Sequence, residues 1–539
     1  MSDIIYDVIQ VGYGPVSKSM AIMLSRLGHQ VAIFEKFQEI YPLPRAVCID
    51  HEIYRVLHAN GLGRQLDQFT SPAPLYRWFN ADWKELMSLD WTKESISGGQ
   101  ETNFVHQPSV ERALDQVVRE SSNILLQTGW EAIAVKQTAN CVELTVRDVT
   151  TEATKVVKSK YLVGLDGANS FVRRAIGSGQ HDLGFEADWL VIDLTLKDGV
   201  TVESLGIPAC GQYCNPVRPT TIVPGGMEGG KVCRRWEFMR LPHETKAEME
   251  TTEKVWELLG AWIRPDQADL IRHTVYTFRS LVADKWRDGR IMIAGDAAHV
   301  MPPFMGQGMC AGMRDAWNLS WKLDLLLKGV MDDDLLDSYQ QERAPHVSDV
   351  IRASIFLGQI ICMPDPAEAA KRDALFLSGS APPPAPFPIL TAGLLDNDSD
   401  GKPRGLAGQL SPHASVRSAD GEGRFDQVVG LGFVVLLAPG LSASVISAAA
   451  RQFLADLGAK IVTFGDGADD VGDLHRKFGG FFSAADTKAI VVRPDFYIFG
   501  DAPDGEAVND LLSRLQAQLH SFGFKTQTDS DRRLSTSNA

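Results

Sequence analysis

A short apolar run at residues 7–11 leads into Gly12-Tyr13-Gly14-Pro15-Val16-Ser17. A helical pattern follows through Leu27, and a second apolar run at 31–34 ends in Glu35. Strand, glycine turn, helix, strand and acid is the order of a βαβ dinucleotide-binding unit. It commits the start of the chain to a parallel α/β sheet. Gly12 permits the tight turn, and Gly14 lets backbone approach a pyrophosphate at the helix start formed with Pro15 and Val16. Glu35, followed by Lys36, is placed to accept from a ribose 2′-hydroxyl. Ser17 stands where the motif's third glycine belongs, which is expected to loosen helix–strand packing slightly. Taken alone, the segment also fits a βαβ unit with no ligand.

Two later segments repeat the theme. Residues 161–174 form a strand ending in Leu165-Asp166-Gly167, then a helix carrying Arg173 and Arg174. Asp166 there is either a ligand-facing acid or a helix cap. Residues 290–323 run from an apolar strand into Gly295-Asp296. The turn Pro302-Pro303 and the glycines 306 and 308 come next, and a long amphipathic helix follows. A carboxylate accepts from hydroxyls, and a glycine-rich helix start favours an anion. His299 is expected to cap or pack in this turn rather than to act as a base.

Together the three segments resemble the class A flavoprotein aromatic monooxygenases, FAD-dependent phenol hydroxylases with one Rossmann-type domain. Pro44-Arg45-Ala46, His106-Gln107-Pro108, residues 234–238 (RRWEF) and residues 275–278 (VYTF) look most like the 3-(3-hydroxyphenyl)propionate hydroxylase subgroup. The likeness covers nearly the whole chain. It implies tightly but non-covalently bound FAD, with NADH or NADPH as co-substrate. It places Gly12, Gly14, Pro15, Val16, Glu35, Lys36, Arg45, Gln107, Asp166, Gly295, Asp296, Pro303, Gly306, Gly308 and Met309 along the cofactor. Arg45 alternatively forms a surface ion pair. Cys310 stands where relatives commonly have Asn; contact through backbone N–H groups would tolerate that change.

The implied reaction hydroxylates a small aromatic substrate with O2 through a C4a-hydroperoxyflavin. A Baeyer–Villiger or epoxidising oxygenase on a polyketide-like substrate remains open, as does an FAD-dependent reductase or dehydrogenase. The catalytic group is not legible. Tyr213, His273 and Tyr276 lie on substrate-domain strands, either to favour a phenolate or as structural residues. Arg218 and Arg235 are candidates for a substrate carboxylate, and Arg235 equally for pairing with a neighbouring acid. Along 232–239, Cys233, Arg235, Glu237 and Met239 share one strand face.

A chain of 539 residues exceeds one core and suggests about two to four domains. The expected fold is α/β: an FAD-binding Rossmann-type domain interleaved with an antiparallel-sheet substrate domain, plus a thioredoxin-like C-terminal module. FAD-binding parts are assigned to 1–71, 105–180 and 281–380, the last with long helices. Substrate-domain parts fall at 72–104 and 181–280. A proline-rich linker covers 381–404 and the C-terminal module 405–539. In that module, strands are expected at 428–438, 460–464 and 489–492, with helices at 445–457 and 507–518. Without a CxxC pair the module is not expected to be redox-active; a structural or dimerising role is preferred.

The net charge of −15 argues against a nucleic-acid surface and gives no attraction to a membrane. No apolar run reaches spanning length, and residues 1–10 carry no secretory leader pattern. Seven scattered cysteines suggest a reducing cytoplasm and no metal site; Cys210 and Cys214 read as buried or strand residues. A homodimer is expected from the resemblance.

Overall fold

The computed structural model describes residues 5–525, apart from 420, 466, 468 and 469. Among these residues the first unit is built on an eight-stranded sheet. Its centre is the parallel set Ile291–Ile293, Thr154–Gly164, Ile5–Val11, Val31–Glu35 and Ile124–Thr128, in that spatial order. Val8, Ile9, Ile33, Leu162 and Ile293 are fully buried, as continuous apolar strands covered on both faces should be. From Ile5–Val11 the chain moves to Val31–Glu35 on one side and later fills Thr154–Gly164 on the other. At that reversal the carboxyl ends of the strands open a crevice, the usual ligand position in such sheets.

The second unit is an antiparallel sheet with one parallel pair. Its central strands are Ala268–Ala283, Gln180–Leu196, Lys231–Met239 and Thr220–Glu228. One face carries Leu190, Ile192, Trp236 and Phe238, which pack under Met249, Val255 and Leu259 of two short helices. The other face looks toward the first unit. There Arg235 donates to the carbonyls of Arg45 at 2.6 Å and Pro44 at 3.2 Å.

The C-terminal unit pairs Lys460–Thr463 with Val434–Leu437 in parallel, then adds Ala489–Val492 and Ile498–Ala502 antiparallel. Helices Ala448–Leu457 and Ala507–Ser521 belong to it. This is the thioredoxin-like alternation expected, with local corrections. The strand expected over 428–438 is confined to Val434–Leu437, because Phe425–Val428 is helical and Gly430 and Gly432 adopt positive φ. The helix expected from 445 begins at Ala448, where the Ser447 side chain accepts the Ala450 N–H.

Within 381–404, the later residues are tied to this unit. The Asp396 N–H donates to Phe499 at 2.7 Å, and Arg514 pairs with the Asp396 carboxylate at 2.7 Å. Glu342, on the Asp337–Ile361 helix, joins the parts. It accepts from Lys322 and Asn318 on the Gly308–Leu327 helix, from the Leu394 N–H, and from Arg493 of the C-terminal unit. Glu342, Lys322 and Arg493 are all fully buried. Among the described residues no single helix is long and apolar enough to cross a membrane.

Candidate active site

The three glycine-containing segments converge at the carboxyl ends of their strands. Gly12 has φ +101, and a Cβ there would lie 2.3 Å from the Leu165 carbonyl oxygen, so the first glycine turn and the Asp166 loop fit only with glycine. Buried Arg173 donates to Ala168 O at 2.7 Å and Ala297 O at 2.9 Å, fastening the Asp166 loop to the Asp296 turn. The Asp166 carboxylate accepts the Phe171 and Val172 N–H groups and the Ser170 hydroxyl. Asp166 thereby steadies the start of the Phe171–Ala175 helix, whose N-cap is Ser170. Ser17 does not loosen the first helix. Its hydroxyl is hydrogen-bonded to the Gln10 side chain at 2.6 Å, tying helix to strand.

Glu35 accepts the Tyr13 N–H at 2.8 Å and the Phe37 N–H at 2.9 Å, so the acid shapes the glycine turn it faces. Lys36 is exposed, with its ammonium 5.0 Å from the Phe37 ring. A buried relay unread from sequence underlies the turn: Lys18 donates to Tyr13 O and pairs with Glu111 at 2.7 Å. Gln107 donates to Glu111, and its own oxygen accepts the Arg45 and Ala46 N–H groups. Gln107 thus holds the Arg45 loop. The i, i+4 spacing of Gln107 and Glu111 was the available signal.

Asp296 is exposed and makes no hydrogen bond among the described residues. Surrounding protein nevertheless desolvates it and raises its pKa, against the opposing influence of His299 and Arg45. An accessible yet desolvated carboxylate suits a recess that a ligand fills. Gly295 donates its N–H to Asp315, which also takes His299 at 2.6 Å and Arg343 at 2.8 Å. His299 is therefore a buried packing residue, as expected. Arg45 is exposed, its guanidinium 4.7 Å from the Tyr41 ring.

Pro303–Met305 makes one tight turn, and Gly306 at φ +65 abuts Cys48, whose sulfur a Cβ would overlap. The helix from Gly308 has no side-chain cap at Gln307, and the first helix has none at Gly14, where a Cβ would meet nothing within 4 Å. Two uncapped helix starts and an unpartnered acid fit a ligand carrying phosphates and hydroxyls. The Cys310 sulfur lies 3.9 Å from the Cys48 and Gly306 carbonyl oxygens, buried beneath the turn. Cys310→Ala is expected to leave flavin affinity unchanged and to cost about 1 kcal/mol of stability, measured by flavin titration and urea unfolding.

On the substrate sheet, the register separates the candidates. Tyr276 lies opposite Trp189, on the face toward the crevice, and its hydroxyl accepts from Arg272 at 2.9 Å. Tyr213 and His273 lie on the other face, Tyr213 stacked on Trp83 at 4.5 Å. Neither faces the crevice. Arg218 and Arg235, the candidates for a substrate carboxylate, are both ion-paired within the protein, for Arg235 the pairing with a neighbouring acid also expected. Arg218 is clamped by Glu244. Arg235 is bound twice by Asp193, which Arg272 shares at 2.8 Å. Although no metal ligand set was expected, His106, Glu228 and Cys233 place ligand atoms within 4.8 Å of one another. Burial holds the Cys233 thiol up at about 11, and Arg112 lies 3.6 Å from Glu228, both unfavourable to a cation.

The chain matches a family model described as FAD binding domain over residues 5–354. It is 34% identical over 523 residues to a probable NADH-specific resorcinol 4-hydroxylase of Rhodococcus jostii, covering 95% of each chain. The chain belongs to the FAD-dependent aromatic hydroxylase family. A second relative, 3-(3-hydroxy-phenyl)propionate/3-hydroxycinnamic acid hydroxylase of Comamonas testosteroni, is 30% identical, with 96% of this chain and 97% of that one covered. Residues 408–518 match a model described as HcaD C-terminal domain. Among solved structures, aklavinone-11 hydroxylase with FAD and aklavinone aligns with TM-score 0.75 at 21% identity, over 96% of this chain and 99% of that one. Flavin-dependent monooxygenase PieE gives 0.76 at 20%, over 96% and 100%. These two likenesses establish the fold. The cofactor of this hydroxylase family member is FAD, and its crevice has the features such a cofactor needs.

Proposed function

We propose that the enzyme hydroxylates a small, neutral phenol of the resorcinol type, using NADH and O2. FAD, when bound, supplies hydride acceptance and oxygen activation. The protein's part is to hold and polarise. Backbone N–H groups at the start of the Pro15–Arg26 helix would hold the pyrophosphate, Glu35 a ribose hydroxyl and Asp296 the polyol chain. The uncapped start of the Gly308–Leu327 helix favours negative charge on the adjoining ring.

The observation that carries the substrate choice is the state of the arginines on the crevice face. Arg235 and Arg272 are both committed to Asp193, and buried Glu237 adds a second acid beside them. A propionate carboxylate placed there would meet cations already neutralised; a ring bearing only hydroxyls would not. The relative named for resorcinol supports the same reading, as it does NADH. In a comparison of resorcinol with 3-(3-hydroxyphenyl)propionate, NADH oxidation and product identity are measured together. Resorcinol is expected to give a hydroxylated product with kcat/KM at least about tenfold higher, the equivalent of ~1.4 kcal/mol. Preference for the propionate, or reduction of a substrate without oxygen transfer, would contradict the proposal.

A further inference from the structure

Glu237 is buried at 6% exposure on the crevice face of Lys231–Met239, opposite Val191 and Thr221. Its carboxylate has no hydrogen bond among the described residues. The nearest cation, Arg235, is 3.8 Å away, too far to donate, and is bound instead to Asp193 and two carbonyls. A buried carboxylate without a donor carries an uncompensated desolvation cost of about 1–3 kcal/mol or more. Such a cost persists where a ligand supplies the missing donor.

The surroundings fit that role. Glu237 acts electrostatically on Cys48, whose sulfur abuts Gly306 in the turn before the Gly308–Leu327 helix. It acts likewise on Tyr76, which bonds Gln212, itself bonded to Thr221. Phe304 of the same turn meets Trp189 at 5.8 Å and Phe278 at 6.3 Å, so the turn closes on this sheet face. The charged and titratable groups facing Glu237 are Arg235, Asp193, Arg272 and Tyr76 on the sheet, with Cys48 across from it.

We infer that Glu237 accepts the hydrogen bond of a substrate phenol hydroxyl and takes its proton before the ring is oxygenated. In that step the phenol O–H bond breaks and an O–H bond forms on the carboxylate. The electron pair stays on the phenolate oxygen, so charge is conserved and no further reactant is required. Burial raises the Glu237 pKa, Arg235 opposes it and Asp193 reinforces it. That narrows the gap to a phenol's ionisation, near 10 for tyrosine-like groups.

This inference rests on the phenol-hydroxylase reading, and the test separates the two. Glu237→Gln is expected to fold and to bind FAD, as read by flavin titration and thermal melting. Its kcat/KM for resorcinol should fall about 100-fold, within the range typical of a lost general base. The remaining activity should climb with pH toward the phenol's own ionisation, the only route to phenolate left. A wild-type kcat/KM and pH profile in Glu237→Gln would overturn the assignment. Glu237→Leu removes an acid that has no protein donor, so its thermal midpoint should not fall. If both variants lose FAD and unfold early, Glu237 is structural and the inference fails. If the wild type oxygenates no hydroxyl-bearing ring, the proposed function fails, whatever Glu237 does.

Discussion

Asp296→Ala yields a folded protein that leaves gel filtration without FAD. The separation of effects follows from the residue's position. Asp296 is exposed and has no hydrogen-bond partner in the protein among the described residues, so its removal breaks no contact that holds the fold. In the complex, its carboxylate would accept from hydroxyls of the cofactor's polyol chain. Charge-assisted bonds of that kind contribute roughly 1.5–3 kcal/mol each. Losing one such bond weakens FAD binding by about 10- to 150-fold. Titration of the apoprotein with FAD, followed by flavin fluorescence, measures the change. The thermal midpoint without FAD should match that of the wild-type apoprotein. Stoichiometric flavin in purified Asp296→Ala would remove the residue from the site.

Glu342→Ala should be the most destabilising single change outside the cofactor crevice. It strips the shared anion from Lys322 and Arg493, both fully buried, and unties Leu394 and Asn318 as well. Removing one member of a buried ionic cluster typically costs about 3–5 kcal/mol, because the remaining charges stay desolvated. The loss should also reach the active site. Asn318 and Lys322 lie on the helix that begins at Gly308, so slackening their anchor frees the far end of that helix. Urea unfolding should show an earlier transition, and FAD should dissociate at lower urea than in the wild type. A wild-type urea profile would show that the cluster contributes nothing net.

The same cluster sets an acid limit. Burial pushes the Glu342 carboxyl up, but Arg493 and Lys322 outweigh it and hold the pKa at about 2, below the ordinary 4.5. A folded-state pKa below the unfolded one contributes stability above pH 4.5, lost as pH falls toward 2. Glu342→Ala should therefore narrow its gap from wild type across that window.

The crevice was legible in sequence because a parallel sheet presents its ligand groups at strand ends. There glycines and acids interrupt apolar runs, as at Gly12, Glu35 and Gly295-Asp296. Asp166 matches the same pattern while also accepting from a helix start, since holding helix N–H groups and facing a ligand both call for an acid there. The substrate face was harder to read. Alternation along residues 232–239 placed Arg235 and Glu237 together, yet which of them is free depends on Asp193, a strand neighbour 42 positions away. Tyr213, His273 and Tyr276 differ only in the sheet face they occupy, and that is set by register across strands. Glu342 gave no local signal, because its partners come from three separate segments.

The account's central claim is oxygen transfer from O2 to a phenolic ring by an FAD-containing enzyme. Its most direct test incubates the purified yellow protein with NADH, resorcinol and isotopically labelled dioxygen, then measures product mass. A ring carrying one additional hydroxyl, with its oxygen drawn from the labelled gas, is the predicted result. NADH consumed with no labelled ring product from any phenol, or a colourless protein that gains no activity with added FAD, would contradict it.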